Sequence, residues 1–181
     1  HWASSGVRVC MAQSHQVYPA ITADGVGGLY VFWEDERGAF TGRDIFGQHL
    51  DAFGRRKWGA FGRTIHRSFG PQQNIQVALN RERQVLLAWE DQKVARQWRI
   101  VGQKVDEYGN LYWGQQGLAV SQLKKNSCRN PVIVHDGFDG FVCAYEALGR
   151  STTSRDLYVV RMSMMGDVLY HQPLCEYEYE Q

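Results

Sequence analysis

The chain has 181 residues, which is long enough for one domain with a substantial hydrophobic core. Hydrophobic residues make up 44% of it and aromatic residues 13%, a composition that excludes disorder and suits an interior rich in Trp, Tyr and Phe. The formal charge is +1 with no basic block, and no apolar run approaches the roughly 18 residues of a membrane span. We therefore expect neither nucleic-acid binding nor membrane insertion.

The sequence begins at His1 and no signal-peptide hydrophobic region follows, so we expect a processed protein or a fragment. The four cysteines lack the C-x-x-C spacing of zinc and redox sites: Cys10, Cys128, Cys143 and Cys175. Buried thiols are the favoured interpretation, and one disulfide in an oxidising compartment is the alternative.

Residues 1–10 resemble the end of a structural unit. Trp2 is followed by Gly6 and by the alternating segment 7–9. The same signature returns twice: Trp58 with Gly62, and Trp113 with Gly117. We therefore predict that residues 1–10 form an outer strand whose sheet lacks its first three strands.

Three full units follow, and each opens with a strand that ends at a polar turn. The predicted first strands are residues 18–22, 74–78 and 130–134, and the turn residues are Asp24, Asn80 and Asp136. Glycine follows two of these turn residues and supplies the positive φ that a tight hairpin needs.

The second strand of each unit is apolar on both alternating faces. It spans residues 29–35, 85–91 and 141–147, at intervals of 56 residues. In the first copy Leu29, Val31 and Trp33 share one face, and Tyr30 and Phe32 share the other. A strand of this kind is covered on both sides rather than half exposed.

The third strand spans residues 45–50, 100–105 and 157–162, and a glycine turn follows each copy. An aromatic residue four positions after the turn glycine is predicted to open the fourth strand: Trp58, Trp113 and Tyr170. Pro173 cannot donate a ladder hydrogen bond and should weaken the last of these strands.

Four short strands repeated at a period near 56 residues are typical of a β-propeller blade. We predict an all-β fold with four-stranded antiparallel blades at residues 18–65, 74–120 and 130–175, plus the N-terminal strand. About three blades are fewer than an ordinary closed propeller has, so we expect part of a larger propeller.

The first unit carries motifs that are partly repeated in the others: Tyr18-Pro19-Ala20-Ile21, Asp24-Gly25, Gly27-Gly28, Trp33-Glu34-Asp35-Glu36-Arg37, Asp44-Ile45, Gln48, Gly54, Trp58 and Gly62. In these motifs the chain resembles the propeller repeats of about 50 to 55 residues found in secreted and cell-surface bacterial proteins. The resemblance implies a bacterial protein that is secreted or displayed on the cell surface.

The acidic pairs Glu34-Asp35 and Glu90-Asp91 are the first candidates for acid–base chemistry, because glycoside hydrolysis needs two carboxyl groups. They recur in successive units, whereas a catalytic pair occurs once in a fold. We therefore assign them structural roles, such as accepting backbone N–H bonds or pairing with Arg37, and predict no catalytic residue.

No metal or cofactor is predicted. The turns at residues 24–28 and 136–140 offer fewer than the six or more oxygen ligands that calcium prefers. The six histidines show no metal-binding spacing.

These observations favour a non-enzymatic scaffold that binds protein partners. One alternative is a glycan-binding propeller with exposed aromatic residues at one rim. A third possibility is a hydrolase resembling sialidases, with carboxylates converging on the central axis.

An arc of three blades leaves apolar faces at its two ends, with Ile21 and Val31 on the first blade. The residues expected at an interface are Trp2, Val7, Val9, Val142, Tyr158, Tyr170 and Leu174. The partner is either the remainder of a longer propeller chain or a second copy, with two copies exchanging their N-terminal strands.

Overall fold

The computed structural model describes residues 2, 4–38, 42–94, 97–123, 127–148 and 155–174. These residues form twelve strands and no helix, so the all-β prediction is confirmed. The first four strands are β1 (Gln16–Ala23), β2 (Leu29–Asp35), β3 (Asp44–Leu50) and β4 (Arg63–His66). The next four are β5 (Gln72–Leu79), β6 (Val85–Val94), β7 (Gln97–Val105) and β8 (Leu118–Ala119). The last four are β9 (Cys128–His135), β10 (Gly140–Leu148), β11 (Arg155–Ser163) and β12 (Val168–Pro173).

Each group of four strands is one antiparallel sheet in which every strand pairs with the next along the chain. The prediction of three four-stranded antiparallel blades is therefore confirmed. Strand β1 contacts β5, and β5 contacts β9, so the innermost strands of successive blades lie side by side. In the described residues, no helix is long and apolar enough to cross a membrane.

The hydrophobic core lies between the blades. Tyr30, Phe32 and Ile45 of the first blade pack against Leu87 and Trp89 of the second. The opposite face of β6 packs in the same way against the third blade. The alternating faces of one strand thus enter two different cores, which explains why the second strand of a unit is apolar throughout.

Each innermost strand is interrupted by a bulge at the same position. The bulge residues Tyr18, Asn74 and Asn130 have positive φ values of 52°, 58° and 54°. Asparagine tolerates this left-handed conformation better than most residues. The bulge turns a main-chain N–H out of the sheet ladder, where a neighbouring blade can bind it.

The predicted N-terminal strand is wrong, because residues 2 and 4–10 form no strand. The segment instead packs on the first blade, where the Trp2 indole donates to the Ala52 carbonyl at 3.1 Å. A Cβ added to Gly54 would lie 2.8 Å from a methyl carbon of Val7. A strand needs a ladder partner, and no described strand pairs with this segment.

The outer strands also differ from the prediction. Trp58 precedes β4 rather than opening it, and its main-chain N–H donates to the side-chain oxygen of Gln48 at 2.8 Å. Trp113 makes the same bond to Gln103 at 2.9 Å. Val160 takes the equivalent position in the third blade and cannot anchor such a loop.

Strand β12 therefore continues directly from the preceding turn. It contains 6 residues, whereas β4 has 4 and β8 has 2. Pro173 is the last residue of this strand and lies opposite Tyr158, so its missing N–H does not interrupt the middle of the ladder. Tyr170 lies within β12, opposite Arg161.

Candidate functional site

A cavity of about 310 Å³ opens between the second and third blades. It lies where β6, β7 and β10 approach one end of the propeller. Its lining combines one tryptophan, two arginines, a carboxylate and two neutral polar side chains with two apolar ones: Gln92, Trp98, Ser127, Arg129, Glu146, Ala147, Leu148 and Arg155.

Trp98 is positioned at the start of β7 by both its backbone and its ring. Its main-chain N–H donates to the Ser127 hydroxyl at 3.2 Å. The Arg129 guanidinium lies over the indole, 4.3 Å from the ring centroid, in cation–π geometry. Arg129 also pairs with the buried Glu90 carboxylate at 2.7 Å. These contacts fix a half-buried aromatic ring at the cavity wall.

Glu146 is the carboxylate of the cavity. It pairs with Arg155 across the β10–β11 hairpin, and its side chain is 28% exposed. The Arg155 hydrogen bond, together with one from Asn130, holds the pKa of Glu146 below its usual value. Glu146 is therefore ionised at neutral pH and can accept hydrogen bonds from a ligand.

The cavity lies where the structural repeat is broken. Arg43 and Arg155 are equivalent residues in the first and third blades, and each pairs with the glutamate of its own blade. The second blade has Trp98 at this position, so Arg129 of the third blade pairs with Glu90 instead. One blade thus presents an aromatic ring where the other two present a cation.

Trp98, Arg129 and Arg155 are functional candidates that the pattern within one repeat unit does not reveal. An alignment of the three units would have exposed Trp98, since it is a tryptophan without an aromatic counterpart in the other blades.

The repeated acidic residues have structural contacts, as the sequence predicted. Asp35 accepts hydrogen bonds from Trp33 Nε1 at 2.7 Å and from the Arg37 guanidinium at 2.6 Å. Glu34 accepts the main-chain N–H of Asn74 at 3.0 Å, and Glu90 accepts that of Asn130 at 2.7 Å. Each of these two glutamates binds the bulge of the following blade.

No group of three or more His, Cys, Asp and Glu side chains in the described ranges could hold a metal ion. The turn aspartates bind their own backbone: Asp24 accepts the N–H groups of Val26 and Gly28, both at 2.8 Å. Cys10 and Cys143 are free thiols, Cys128 is buried, and Cys175 lies outside the described residues. Burial raises the pKa of Cys128 to about 11, so this thiol is unreactive at neutral pH.

The residues expected at an interface fall into two groups. Trp2, Val7 and Val9 all lie against the first blade, where Val9 helps to cover Val31. Val31 is consequently buried, which corrects its placement on an open face.

On the third blade, Val142 is half-buried on the side that faces away from the second blade, and Tyr170 and Leu174 are exposed. Tyr158 points the other way. It stacks on Tyr145 and His171, on the side that packs against the second blade. Its placement on the open face is therefore wrong.

No protein-family model and no curated protein matches the sequence. Among solved structures, the chain is similar to CoXyl43, a GH43 β-xylosidase/α-arabinofuranosidase from a compost microbial metagenome, in complex with xylotriose and in a calcium-free form. The TM-score is 0.54 at 12% sequence identity, and the match covers 92% of this chain. This chain spans 61% of the length of that enzyme. GH43 enzymes are five-bladed β-propellers, so the comparison confirms a propeller-like fold.

The predictions of a non-enzymatic scaffold and of a chain that is not an enzyme are wrong. They are overturned by a structural neighbour that is a glycoside hydrolase. Recurrence of the acidic residues accounts for their own structural contacts and carries no information about residues that occur once, such as Trp98. The alternatives that involved glycans agree better with the comparison.

Proposed function

We propose that this chain is the glycan-binding part of a carbohydrate-processing propeller, and that the cavity between the second and third blades holds the sugar. The observation that carries the proposal is the replacement of a repeated arginine by Trp98 at the cavity wall. The similarity to a GH43 enzyme solved with xylotriose supports a glycan as the ligand class.

The cavity lining suits a sugar because it combines an aromatic ring with paired ionic groups. The apolar face of a pyranose packs on an indole ring, and its hydroxyls need both donors and acceptors nearby. Glu146 supplies acceptors and Arg155 supplies donors. A volume of about 310 Å³ is at the small end of ligand sites, which fits a short oligosaccharide or the end of a chain.

Glycoside hydrolysis needs two carboxyl groups, about 5 to 9.5 Å apart. Among the described residues the cavity is lined by one, Glu146. Its lowered pKa suits a hydroxyl acceptor or a base rather than a general acid. In this proposal the chain therefore contributes sugar binding, and a second carboxyl group outside the cavity completes any hydrolytic site. Secretion would place such a protein beside extracellular polysaccharides.

Isothermal titration calorimetry with xylotriose and with arabino-oligosaccharides tests the proposal. We expect binding to the wild-type chain and a loss of about tenfold or more in affinity for Trp98→Ala, because a stacked aromatic anchor is removed. Glu146→Gln should also weaken binding, since the amide loses half of the acceptor capacity.

The matched control is Tyr108→Ala, which removes an aromatic ring that is 72% exposed on a turn of the second blade. This variant should bind like the wild type. Absence of binding to every oligosaccharide, or equal affinity of Trp98→Ala and wild type, would contradict the proposal.

A further inference from the structure

The two internal junctions between blades are built from the same polar contacts. At one end, Glu34 and Glu90 bind the bulge N–H of the following blade at 3.0 and 2.7 Å. At the other end, the Trp58 indole donates to the Glu107 carbonyl in the following blade at 2.9 Å. The Trp113 indole approaches the equivalent Met164 carbonyl at 3.4 Å.

A basic side chain contacts each of these turn carbonyls as well. His49 Nδ1 lies 3.2 Å from the Glu107 oxygen, and Lys104 Nζ donates to the Met164 oxygen at 2.8 Å. Each junction therefore has two polar ends with an apolar surface between them. At one end a carboxylate accepts a bulge N–H, and at the other end a tryptophan and a basic side chain both contact one turn carbonyl.

The open face of the third blade, which faces away from the second blade, carries the groups that a blade contributes to its junction with the following blade. Glu146 is the third glutamate of the series, and Arg161 takes the position of His49 and Lys104. The surface between them is apolar and uncovered, since Val132 is 59% exposed and Leu157 is 45% exposed. The third blade has Tyr170 at the sequence position of Trp58 and Trp113, and Val160 replaces the glutamine that anchors the loop in the other blades.

The first blade carries the groups that a blade presents to the blade before it. Tyr18 has the bulge conformation of Asn74 and Asn130, with a φ of 52°. Ile21 is equivalent to Ile133, which is 6% exposed against the second blade, yet Ile21 is 65% exposed. The Ala52 carbonyl already accepts the Trp2 indole at 3.1 Å, the contact that the third blade lacks.

We propose that the open face of the third blade binds the first blade of a second copy of this chain, head to tail. Arg161 of one copy then donates to the Ala52 carbonyl of the other copy. That carbonyl already accepts the indole N–H of Trp2 from its own chain. Glu146 binds the Tyr18 N–H, and Val132 packs near Ile21. Val9 and Cys10 already cover Val31 on the first blade, so the second copy covers the part of that face around Ile21. Two copies joined at both ends present six blades. Glu146 also lines the proposed sugar site, but the contacts of Arg161, Val132 and Ile21 do not depend on the sugar.

Sedimentation-velocity ultracentrifugation over a concentration series tests the proposal with two single variants. We expect the wild type to sediment as a dimer of the 20.7 kDa chain. Val132→Lys and Ile21→Lys should each weaken association by about tenfold or more, because each places a charge in one half of the junction. Both side chains are exposed, so the fold should be unaffected, which circular dichroism verifies.

A mixture of the two variants is the decisive sample. The Ile21→Lys copy retains its third-blade face, and the Val132→Lys copy retains its first-blade face, so one intact junction forms and association should return. Tyr108→Lys, on the middle blade, is the control and should behave as the wild type. A wild type that stays monomeric, or a mixture that associates no better than either variant, would overturn the proposal.

Discussion

At the scale of single residues, buried carboxylates link the acid stability of the protein to specific ion pairs. Burial opposes the ionisation of Asp35, but hydrogen bonds from Arg37 and Trp33 outweigh it and hold its pKa below the usual value. Burial also opposes the ionisation of Asp91, and His66 and Arg99 reverse the effect to lower its pKa. Both residues are wholly buried.

These lowered pKa values predict loss of stability in acid. A carboxyl group whose folded pKa is below its unfolded value stabilises the protein fully above the unfolded pKa of 3.8, and this contribution is lost as the pH falls through the folded pKa. We expect the free energy of unfolding, measured with urea from pH 7 downwards, to fall below about pH 4 to 5. Asp35→Asn should lower stability at pH 7 by about 3 kcal/mol and reduce the acid dependence. An unchanged acid dependence in this variant would contradict the assignment.

Two glycines before β4 allow the stability cost of backbone strain to be measured apart from the cost of a steric contact. Gly59 and Gly62 have φ values of 81° and 73°. A Cβ on Gly62 would lie 2.6 Å from a ring carbon of Trp33, whereas a Cβ on Gly59 would meet nothing within 4 Å. We expect Gly59→Ala to cost about 1 kcal/mol from positive φ alone, and Gly62→Ala to cost at least about 2 kcal/mol more from the contact. Thermal unfolding measures both, and equal losses would show that Trp33 and the Gly47 carbonyl can both move aside.

At the scale of elements, the outer strand of a blade depends on one glutamine. The Gln48 side chain accepts the Trp58 N–H at 2.8 Å and donates to the Gly59 carbonyl at 2.7 Å. Gln103 repeats the arrangement in the second blade, and Val160 ends it in the third. The position of the outer strand changes with this residue. In the first two blades a loop separates the turn from the outer strand, whereas in the third blade β12 begins directly after the turn.

Gln48→Leu should therefore destabilise the loop before β4. It leaves the Trp58 N–H and the Gly59 carbonyl without their side-chain partner, at a cost of about 1 to 3 kcal/mol each where water cannot replace it. Hydrogen exchange of the Trp58 amide should accelerate by a larger factor than exchange within β2. Gln172→Leu, on exposed β12, is the control and should leave both rates unchanged. Unaltered exchange at Trp58 would contradict the anchoring role.

At the scale of the whole molecule, the sequence predicts the blades because each second strand must be apolar on both faces to enter two cores. Residues 29–35 and 85–91 carry that pattern without ambiguity. The fate of residues 1–10 could not be predicted in this way, because an alternating segment forms a strand only when another strand pairs with it. The Trp2 indole contacts the first blade even though the predicted N-terminal strand does not form.

The cavity was harder to predict than the blades because its components come from different units. Trp98 belongs to the second blade, while Arg129 and Glu146 belong to the third. Their proximity depends on how neighbouring blades pack, which a pattern within one unit does not encode. The departure of Trp98 from the repeat is the one sequence signal for the site.

The central claim is that a sugar binds against Trp98, and nuclear magnetic resonance of the tryptophan indole N–H groups tests it most directly. The chain has six tryptophans, and loss of a signal in Trp98→Phe identifies the relevant one. Titration with xylotriose should shift the Trp98 signal and leave those of the buried Trp33 and Trp89 unchanged. Saturating shifts at other tryptophans with none at Trp98, or no shift at any of them, would contradict the account.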